Sequence, residues 1–316
     1  MELKVPRHRC IECDLTFTHD FGLDLIQSSS ALFRKELVRR CHGRSLSDVS
    51  REYDVPYTTV ERWFYLYAPE QIKEEQASRI CVDDFALRKG QTYAISVLNA
   101  DTGHVLAAGP GRNAEAIQAV LKKVHGVIKE VVSDFAPAMA KAIQTVYPKA
   151  LHIMDRFHLV QFFTDALRRR RRYLNEAKKH HTSRFIDRCL AKKPEDLTEK
   201  ERSFVTHWRE EDEALKHLYQ ALNHMRYVLK AKAPVQADRR LEEWFSRYQF
   251  HSCGAVAAIA KTVLARKKEL LHTIVSPLSN GMMEGTNNKI KLIKRRGFGY
   301  RNDDHFFLRI RLETGR

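Results

Sequence analysis

The predicted order of strands and helices indicates an α/β fold with a mixed sheet. Apolar runs separated by Lys89-Gly90 and by Asp101-Thr102-Gly103 predict an antiparallel meander of three strands, at 79–84, 93–98 and 105–108. Two helix-then-strand pairs follow, and a long helical segment then interrupts the pattern. A meander followed by strand, helix and strand is the order of a ribonuclease-H-like sheet, so we predict such a sheet with a large all-α insertion.

The first strand of the meander delivers two adjacent carboxylates, Asp83 and Asp84, and the turn signal Lys89-Gly90 comes after them. This pattern predicts a strand that ends in acid. Because side chains alternate between the faces of a strand, only one of the two can point into a given site, and we favour Asp83. The alternative is that both acids cap a hairpin edge in water.

Two further acids follow the later strands of the predicted sheet. The apolar run 127–133 leads directly into Asp134, and the run 150–154 leads into Asp155. The helices that precede these strands are predicted at 114–124 and 136–146. Open α/β sheets carry their chemistry at the carboxyl ends of strands, so both acids are candidates for a site at that edge.

The composition favours a folded protein with a polyanionic partner. The 316 residues are 43% hydrophobic, and 55 Lys and Arg against 39 Asp and Glu give a net charge of +16. Such an excess makes nucleic acid the expected partner, ahead of a membrane surface. No apolar run approaches the roughly 18 residues that span a bilayer, no signal-peptide pattern opens the chain, and the scattered cysteines fit a reducing cytoplasm.

Cys10-Ile11-Glu12-Cys13 is a C-x-x-C knuckle among basic and aromatic residues. A structural zinc site takes four thiolate or imidazole ligands, commonly from two such knuckles. His8 and His19 are the nearest further candidates for Zn²⁺ ligands. Because the chain has a single close pair of cysteines, we predict a partial zinc ribbon at Cys10 and Cys13 in preference to a complete site.

A pattern of short helices follows the knuckle. A periodic segment at 31–40 precedes Ser45 to Asp48, which has the spacing of a capping box, and Thr58 or Thr59 can begin the next helix after a break at 54–56. Two short helices with an apolar joint predict a helix-turn-helix, with an ordinary helical hairpin as the alternative. Its second helix would present to a DNA major groove the residues Tyr57, Thr58, Thr59 and Arg62.

Residues 158–273 contain no convincing strand pattern and are rich in charge and helix formers. They predict an all-α insertion of roughly a hundred residues. Five consecutive arginines at 168–172 cannot share one helix face, so some of them must meet solvent or phosphate.

The stretch 279–291 predicts the opening of a last helix, which carries Glu284. Helical spacing puts Asn287, Asn288 and Lys291 on the side of Glu284. A lone glutamate here would indicate a surface helix. With aspartates after two strands upstream, we interpret Glu284 as a third carboxylate that faces a metal.

In their order and spacing, these motifs resemble bacterial insertion-sequence transposases of the ISL-three family. The similarity extends over nearly the whole chain and rests on Asp83-Asp84-Phe85-Ala86, Val132-Ser133-Asp134, Asp155-Arg156-Phe157-His158-Leu159, Glu284 followed by Asn287-Asn288-Lys289-Ile290-Lys291, and Arg296-Gly297-Phe298-Gly299. Family members usually carry a complete zinc ribbon at the N-terminus, so we expect a truncated copy here.

The resemblance implies a DDE triad at Asp83, Asp134 and Glu284, supported by a D-x-x-H element at Asp155 and His158. Such a triad would hold two Mg²⁺ ions, with Mn²⁺ as a substitute, because hard cations prefer carboxylate oxygens. We expect Asp83 to bridge the ions and the other two acids each to complete one coordination shell. His158 would touch the scissile phosphate or orient Asp155.

The implied activity is cleavage and joining of DNA strands at insertion-sequence ends by two-metal-ion phosphoryl transfer. The implied partners are double-stranded DNA, as transposon ends and target, and further copies of the chain, in a bacterial cytoplasm near the nucleoid and away from membranes. Backbone phosphates would be held by Lys291, Arg295, Arg296 and Arg301. Alternatives are a non-enzymatic helix-turn-helix regulator, an inactive truncated transposase and a nuclease that cuts branched DNA without joining strands.

These predictions divide the chain into five segments. They are a partial zinc ribbon at 1–25, a helix-turn-helix domain at 26–76, the first part of a catalytic core at 77–157, an all-α insertion at 158–274, and the last core helix with its basic tail at 275–316.

Overall fold

The computed structural model describes residues 4, 6–18, 25–26, 29–178, 184–278 and 281–315. The chain divides into two compact units: a terminal unit, formed by Met1–Lys73 with Ile290–Arg316, and a central unit, Glu74–Lys289. The division into five segments is finer than this and stays a prediction. In the described ranges, no helix is long and apolar enough to cross a membrane.

The terminal unit begins with two short antiparallel hairpins and continues with three helices. The strands are β1 (Arg7–Arg9), β2 (Thr16–Thr18), β3 (Leu25–Ile26) and β4 (Ser29–Ser30). The helices are α1 (Ala31–Arg40), α2 (Leu46–Tyr53) and α3 (Tyr57–Tyr67), which runs on into a 3-10 turn at Ala68–Gln71.

Local hydrogen bonds explain where these helices begin. The hydroxyl of Ser45 accepts a hydrogen bond from the Asp48 N–H at 3.0 Å, which confirms the predicted cap of α2. The prediction that α3 begins at Thr58 or Thr59 is wrong. The helix begins at Tyr57, because the Pro56 carbonyl accepts the first helical bonds, from the N–H groups of Thr59 and Val60.

The central unit is built on a five-stranded mixed sheet. Its strands are β5 (Arg79–Arg88), β6 (Thr92–Asn99), β7 (Val105–Pro110), β8 (Glu130–Ser133) and β9 (Leu151–Met154). Their order across the sheet is β7-β6-β5-β8-β9, with β5, β6 and β7 antiparallel and β5, β8 and β9 parallel. The predicted meander and the two later strands are therefore confirmed.

The prediction that the first of these strands ends after Asp84 is wrong. Strand β5 continues to Arg88, which pairs with Thr92 of β6. Alternate residues beyond the acids, Phe85 and Leu87, are buried, so the strand keeps an apolar face as far as the turn. The two carboxylates consequently lie inside a strand.

Helices cover one face of the sheet. Helices α4 (Ala114–Leu121) and α5 (Pro137–Val146) contribute apolar side chains to one cluster with β5, which includes Ile80 and Val82. This cluster places the even-numbered residues of β5 on the face covered by α4 and α5. The odd-numbered residues, among them Asp83, lie on the other face.

The rest of the central unit is helical wherever the structure describes it. The helices are α6 (Arg156–Lys178), α7 (Arg184–Ala191), α8 (Glu199–Glu211), α9 (Glu213–Val228), α10 (Pro234–Tyr248), α11 (Gly254–Leu264) and α12 (Lys267–Val275). Phe163, Leu222 and Trp244 are buried at their joint core. This part of the chain has no strand in its described residues, as predicted for an all-α insertion.

The five arginines of α6 separate as predicted, with three of them used in ion pairs, of which Arg168 bonds Asp165 at 3.0 Å within the same helix. Arg170 bonds Asp212 at 2.6 Å, and the buried Arg171 bonds Asp187 at 2.5 Å. Arg169 and Arg172 are exposed. The run therefore contributes to packing between helices as well as to the charged surface.

Two helices close the chain, α13 (Gly281–Arg296) and α14 (Asp303–Thr314). Leu312 of α14 joins the core of the terminal unit, where it packs in one cluster with Val38, Val49, Val60 and Phe64. The terminal unit thus draws its core from both ends of the sequence.

Candidate active site

Asp83 and Asp84 lie on β5 just past the segment that pairs with β8. That pairing runs from Arg79 opposite Glu130 to Cys81 opposite Val132. The two acids are partly buried and extend beyond the end of this ladder. They therefore reach the edge of the sheet where β8 leads into Asp134.

Helix α13 packs on the face of the sheet that carries Asp83. Asp83 pairs across the strands with Ser96 of β6, so the two side chains share a face. The Ser96 hydroxyl lies 3.8 Å from the sulfur of the buried Met283, and the Asn287 amide donates a 2.9 Å hydrogen bond to Asp83 Oδ2. The first turns of α13 thus bring Asn287 to this strand, whereas Glu284, one turn earlier, is exposed and its charge acts on Asp155.

The other two acids are held at the starts of helices. Asp134 Oδ1 accepts a 3.0 Å hydrogen bond from the Ala136 N–H, just before α5. Asp155 Oδ1 accepts one of 3.2 Å from the Phe157 N–H in the first turn of α6, and Asp155 Oδ2 lies 3.9 Å from Nε2 of His158. Both bonds fix the direction of a carboxylate that follows a strand.

The carboxylates lie within electrostatic reach of one another. The pKa of Asp83 is raised to about 6, mainly by burial and in smaller part by the charges of Asp84 and Asp134. Burial also raises the pKa of Asp155, with smaller contributions from the charges of Asp134 and Glu284. Mutual repulsion of this kind is what a bound cation would relieve.

The types of donor atom at this edge fit a hard divalent cation, although the side chains are not grouped tightly around one position. Asn287 Oδ1 is buried and accepts no hydrogen bond from the described residues, and amide and carboxylate oxygens are the ligands that Mg²⁺ prefers. In the part of the chain that the structure describes, no three His, Cys, Asp or Glu side chains are arranged to hold a metal ion. Ligation would therefore need the carboxylates to draw closer together.

A sequence model of a transposase family, the ISL-three group, matches residues 80–310, which include the sheet, the all-α segment and α13. The chain belongs to the ISL-three family of transposases. This assignment confirms the resemblance noted from the motifs.

Two relatives of this ISL-three chain extend the comparison. It is 28% identical over 280 residues to the transposase for insertion sequence element IS1001 of Bordetella parapertussis, an alignment that covers 83% of this chain and 68% of that protein. It is 24% identical over 254 residues to the transposase for insertion sequence element IS1557 of Mycobacterium tuberculosis, with 71% of this chain and 57% of that protein covered.

In this transposase-family chain, buried contacts hold the backbone next to the carboxylates that follow the strands. The Ser133 hydroxyl lies 2.8 Å from Nε2 of His152, whose pKa burial lowers to about 4, so the imidazole is neutral near pH 7. Arg156 donates hydrogen bonds to the carbonyls of Thr273, Ile274 and Ser276, which ties the start of α6 to the end of α12. These contacts set the path of the chain on each side of Asp155.

The residues predicted to bind DNA belong to the terminal unit. Tyr57, Thr58 and Arg62 are exposed on α3, whereas Thr59 is partly buried. In the basic tail the exposed cations are Lys291, Arg295 and Arg301. Arg296 differs from the others, because its guanidinium lies 2.5 Å from the buried carboxylate of Glu313.

The C-x-x-C knuckle forms the turn of the β1–β2 hairpin. Hydrogen bonds from the backbone and thiol of Cys13 lower the pKa of Cys10, an environment that suits a metal-binding thiolate. His8 stacks on Phe17 at 5.6 Å, and His19 lies outside the described residues. A Zn²⁺ site at Cys10 and Cys13 stays a prediction.

Asn287 is the site residue that the sequence-based selection missed. The i+3 spacing from Glu284 was a usable signal, since it puts both side chains on one side of α13. That spacing does not tell which neighbour meets the sheet. Only the packing of α13 against β5 and β6 shows that Asn287 contacts Asp83.

The raised pKa of Asp83 predicts a pH-dependent stability in metal-free buffer. The folded state keeps this proton up to a pH of about 6, whereas the unfolded chain releases it near 3.8. Because the folded state binds more protons between these values, stability should fall as the pH rises through this window, by up to about 3 kcal/mol. Asp83→Asn should remove this dependence.

Thermal unfolding in EDTA at several pH values, compared between the parent and Asp83→Asn, checks this expectation. The comparison isolates Asp83 from Asp84 and Asp155, whose pKa values burial also raises. Parallel stability curves for the two proteins across this pH window would contradict it.

Proposed function

We propose that this chain is a DDE-type transposase that cleaves and joins DNA strands at the ends of an insertion sequence. The observation that carries the proposal is the hydrogen bond from Asn287 to Asp83, which joins the Glu284 helix to the strand of the first acid across 204 residues of sequence. Asp134 and Asp155 lie within electrostatic reach of the same strand, through Asp83 and Cys81 respectively. Membership of a transposase family supports the same activity.

The strand order β7-β6-β5-β8-β9 supports a ribonuclease-H-like core. A meander of three antiparallel strands followed by two parallel strands through helices α4 and α5 is the order predicted from the sequence. Asp134 and Asp155 directly follow parallel strands, and open sheets carry their ligand sites at the carboxyl ends of such strands. The all-α segment enters between β9 and α13, so it does not interrupt the sheet.

The residues that would hold metal in this proposal are Asp83, Asp134 and Glu284, with Asn287 as an added oxygen donor. When bound there, a pair of divalent cations would stabilise charge on the attacking and leaving oxygens of an in-line displacement at phosphorus. Asn287 holds one Asp83 oxygen in place through its N–H, and its own unpaired oxygen lies beside that carboxylate. Asp155 and His158, 3.9 Å apart, would bind or orient groups at the phosphate.

The terminal unit supports DNA binding by a helix-turn-helix. Helices α2 and α3 are joined by a sharp turn in which Asp54 adopts a left-handed conformation with φ of 50°, and α3 presents Thr58 and Arg62 to solvent. We propose duplex DNA as the partner of this unit. Because transposases generally act on two paired transposon ends at once, the active form would be a homo-oligomer, in the bacterial cytoplasm.

Strand cleavage of DNA that carries the element's ends tests the proposed function. With Mg²⁺ or Mn²⁺ we expect nicks at the ends and joined products, and with EDTA we expect DNA binding without cleavage. Site-specific binding that ignores divalent ions and never yields cleavage would indicate a regulator instead. Cutting of branched DNA with no joined product would indicate a nuclease.

A further inference from the structure

Helix α13 ends in an unusual way, with a phenylalanine where a glycine is expected. The Phe298 N–H donates to the Arg295 carbonyl at 3.0 Å and the Gly299 N–H donates to the Lys294 carbonyl at 3.1 Å, which is the hydrogen-bond pattern of a Schellman cap. The left-handed position of this cap belongs to Phe298, with φ of 50°. Glycine normally takes this position, because a bulky side chain is strained there.

No packing of Phe298 against the described residues compensates for this strain. The Phe298 side chain is 97% exposed, and glycines stand on both sides of it, at 297 and 299. A large apolar side chain held outward in a strained conformation lowers stability without adding to the core. Such positions are typical of residues that contact a ligand.

Phe298 lies on the wall of a cleft of about 520 Å³ in the terminal unit. The rings of Tyr57, Tyr65 and Tyr300 line the same cleft, together with the exposed Arg301. Tyr65 is itself stacked on His305, with ring centroids 3.5 Å apart. A volume of this size suits a ligand of a few hundred cubic ångströms with flat aromatic faces.

Most of the positive charge around the cleft is already paired. Arg44 forms an ion pair with Glu52, and Arg296 and Arg309 both bond Glu313. The cleft is therefore poorly suited to a cluster of phosphates. Its chemistry fits one base with a single attached phosphate, since aromatic rings stack on every nucleobase and Arg301 can meet one anionic oxygen.

We propose that this cleft binds an unpaired nucleotide of a DNA strand, with the base stacked on Phe298 and the phosphate at Arg301. The proposal rests on the proposed function in taking DNA as the partner. It adds a site in the terminal unit that reads whether a strand is paired, because a base inside a duplex has no free face to stack on the ring.

Two substitutions in the full chain test this assignment. Phe298→Asn should leave the fold at least as stable, because asparagine tolerates the left-handed conformation, yet weaken binding to a duplex with a single-stranded overhang by roughly 5- to 100-fold. Binding of the fully paired duplex of the same sequence should change less than about twofold. Phe298→Trp keeps an aromatic face and should retain overhang binding.

Fluorescence anisotropy with the two DNAs and thermal unfolding of each variant give the required measurements. The loss in Phe298→Asn should be the same at low and high salt, since no charge is removed. Equal affinity of parent and variant for overhang DNA, an equal loss on both DNAs, or a lower melting temperature for Phe298→Asn would each overturn the proposal. If the parent binds paired DNA but shows no preference for an overhang, only the nucleotide-binding cleft is refuted. If it binds no DNA at all, the proposed function is refuted as well.

Discussion

Replacement of Asp83 by asparagine is expected to lower strand cleavage by about 10³-fold or more while DNA affinity stays within about twofold of the parent. Removal of one carboxylate takes away a ligand that would anchor metal at the reacting phosphate. Metal ions supply several kcal/mol of transition-state stabilisation, and each 1.36 kcal/mol is a factor of about ten in rate. The measurement is the initial rate of cleavage with Mg²⁺ under conditions where all DNA is bound.

The neighbouring acid provides a matched control for this substitution. Asp84 has the same side chain and lies on the same strand. Because side chains alternate along a strand, Asp84 lies on the face that α4 and α5 cover, whereas Asp83 lies on the other face and contacts Asn287. Asp84→Asn should therefore cost less than about tenfold in cleavage. A large loss in Asp84→Asn together with parent activity in Asp83→Asn would show that the other acid carries the chemistry.

Stability separates loss of chemistry from loss of fold in the same experiment. Burial opposes ionisation of Asp83, so its neutral amide replacement should be tolerated or should stabilise the metal-free protein near pH 7. A variant that melts earlier than the parent in EDTA would point to a structural role for this carboxylate. An inactive variant that is equally or more stable supports the catalytic role.

The strands of the sheet could be predicted because the signals that define them are local. Apolar runs bounded by turn residues predicted both ends of β6 and β7 to within two residues. For β8 and β9 they predicted the last residue correctly and the first to within three residues. The end of β5 was missed for a specific reason. Two adjacent acids suggested an edge, whereas the alternation of Phe85 and Leu87 after them continues a buried face.

The candidate site was predictable in part. Asp134 and Asp155 follow strands, so the sequence placed them at the correct edge of the sheet. The contact of Asn287 with Asp83 depends on how α13 docks across 204 residues of sequence, which no local pattern encodes. The left-handed conformation of Phe298 was not predictable for another reason. Glycines flank it on both sides, and glycine is the residue that usually adopts the conformation that the phenylalanine has here.

Arg309 is expected to be the most important single side chain for the stability of the terminal unit. Its guanidinium and the Glu313 carboxylate are both almost fully buried, with Arg309 Nε 2.9 Å from Glu313 Oε1. Arg309 also donates to the carbonyls of Cys41 and Arg44, between α1 and α2, and lies over the ring of Phe64. One side chain thus ties the last helix of the chain to the proposed DNA-binding helices.

Arg309→Met should destabilise this unit by about 3–5 kcal/mol, because two carbonyls lose their donor and the buried Glu313 carboxylate keeps only Arg296 as a cationic partner. Hydrogen exchange followed by mass spectrometry measures the effect where it arises. Amide protection in α1 to α3 should fall by roughly two to three orders of magnitude, with little change in the strands of the central unit. DNA binding by the proposed helix-turn-helix should fall with it.

A second substitution tells how much of the cost comes from the buried Glu313 carboxylate. Arg309→Met combined with Glu313→Leu removes this pair, and apolar replacement of a buried pair is often neutral, so the double variant should recover part of the lost protection. Recovery should be incomplete, because the Cys41 and Arg44 carbonyls still lack a donor and Arg296 loses its partner Glu313. Arg301→Met, which changes an exposed arginine in the same unit, should alter stability by less than about 0.5 kcal/mol. Equal protection in Arg309→Met and Arg301→Met would refute the view that this buried pair holds the two ends of the chain in one unit.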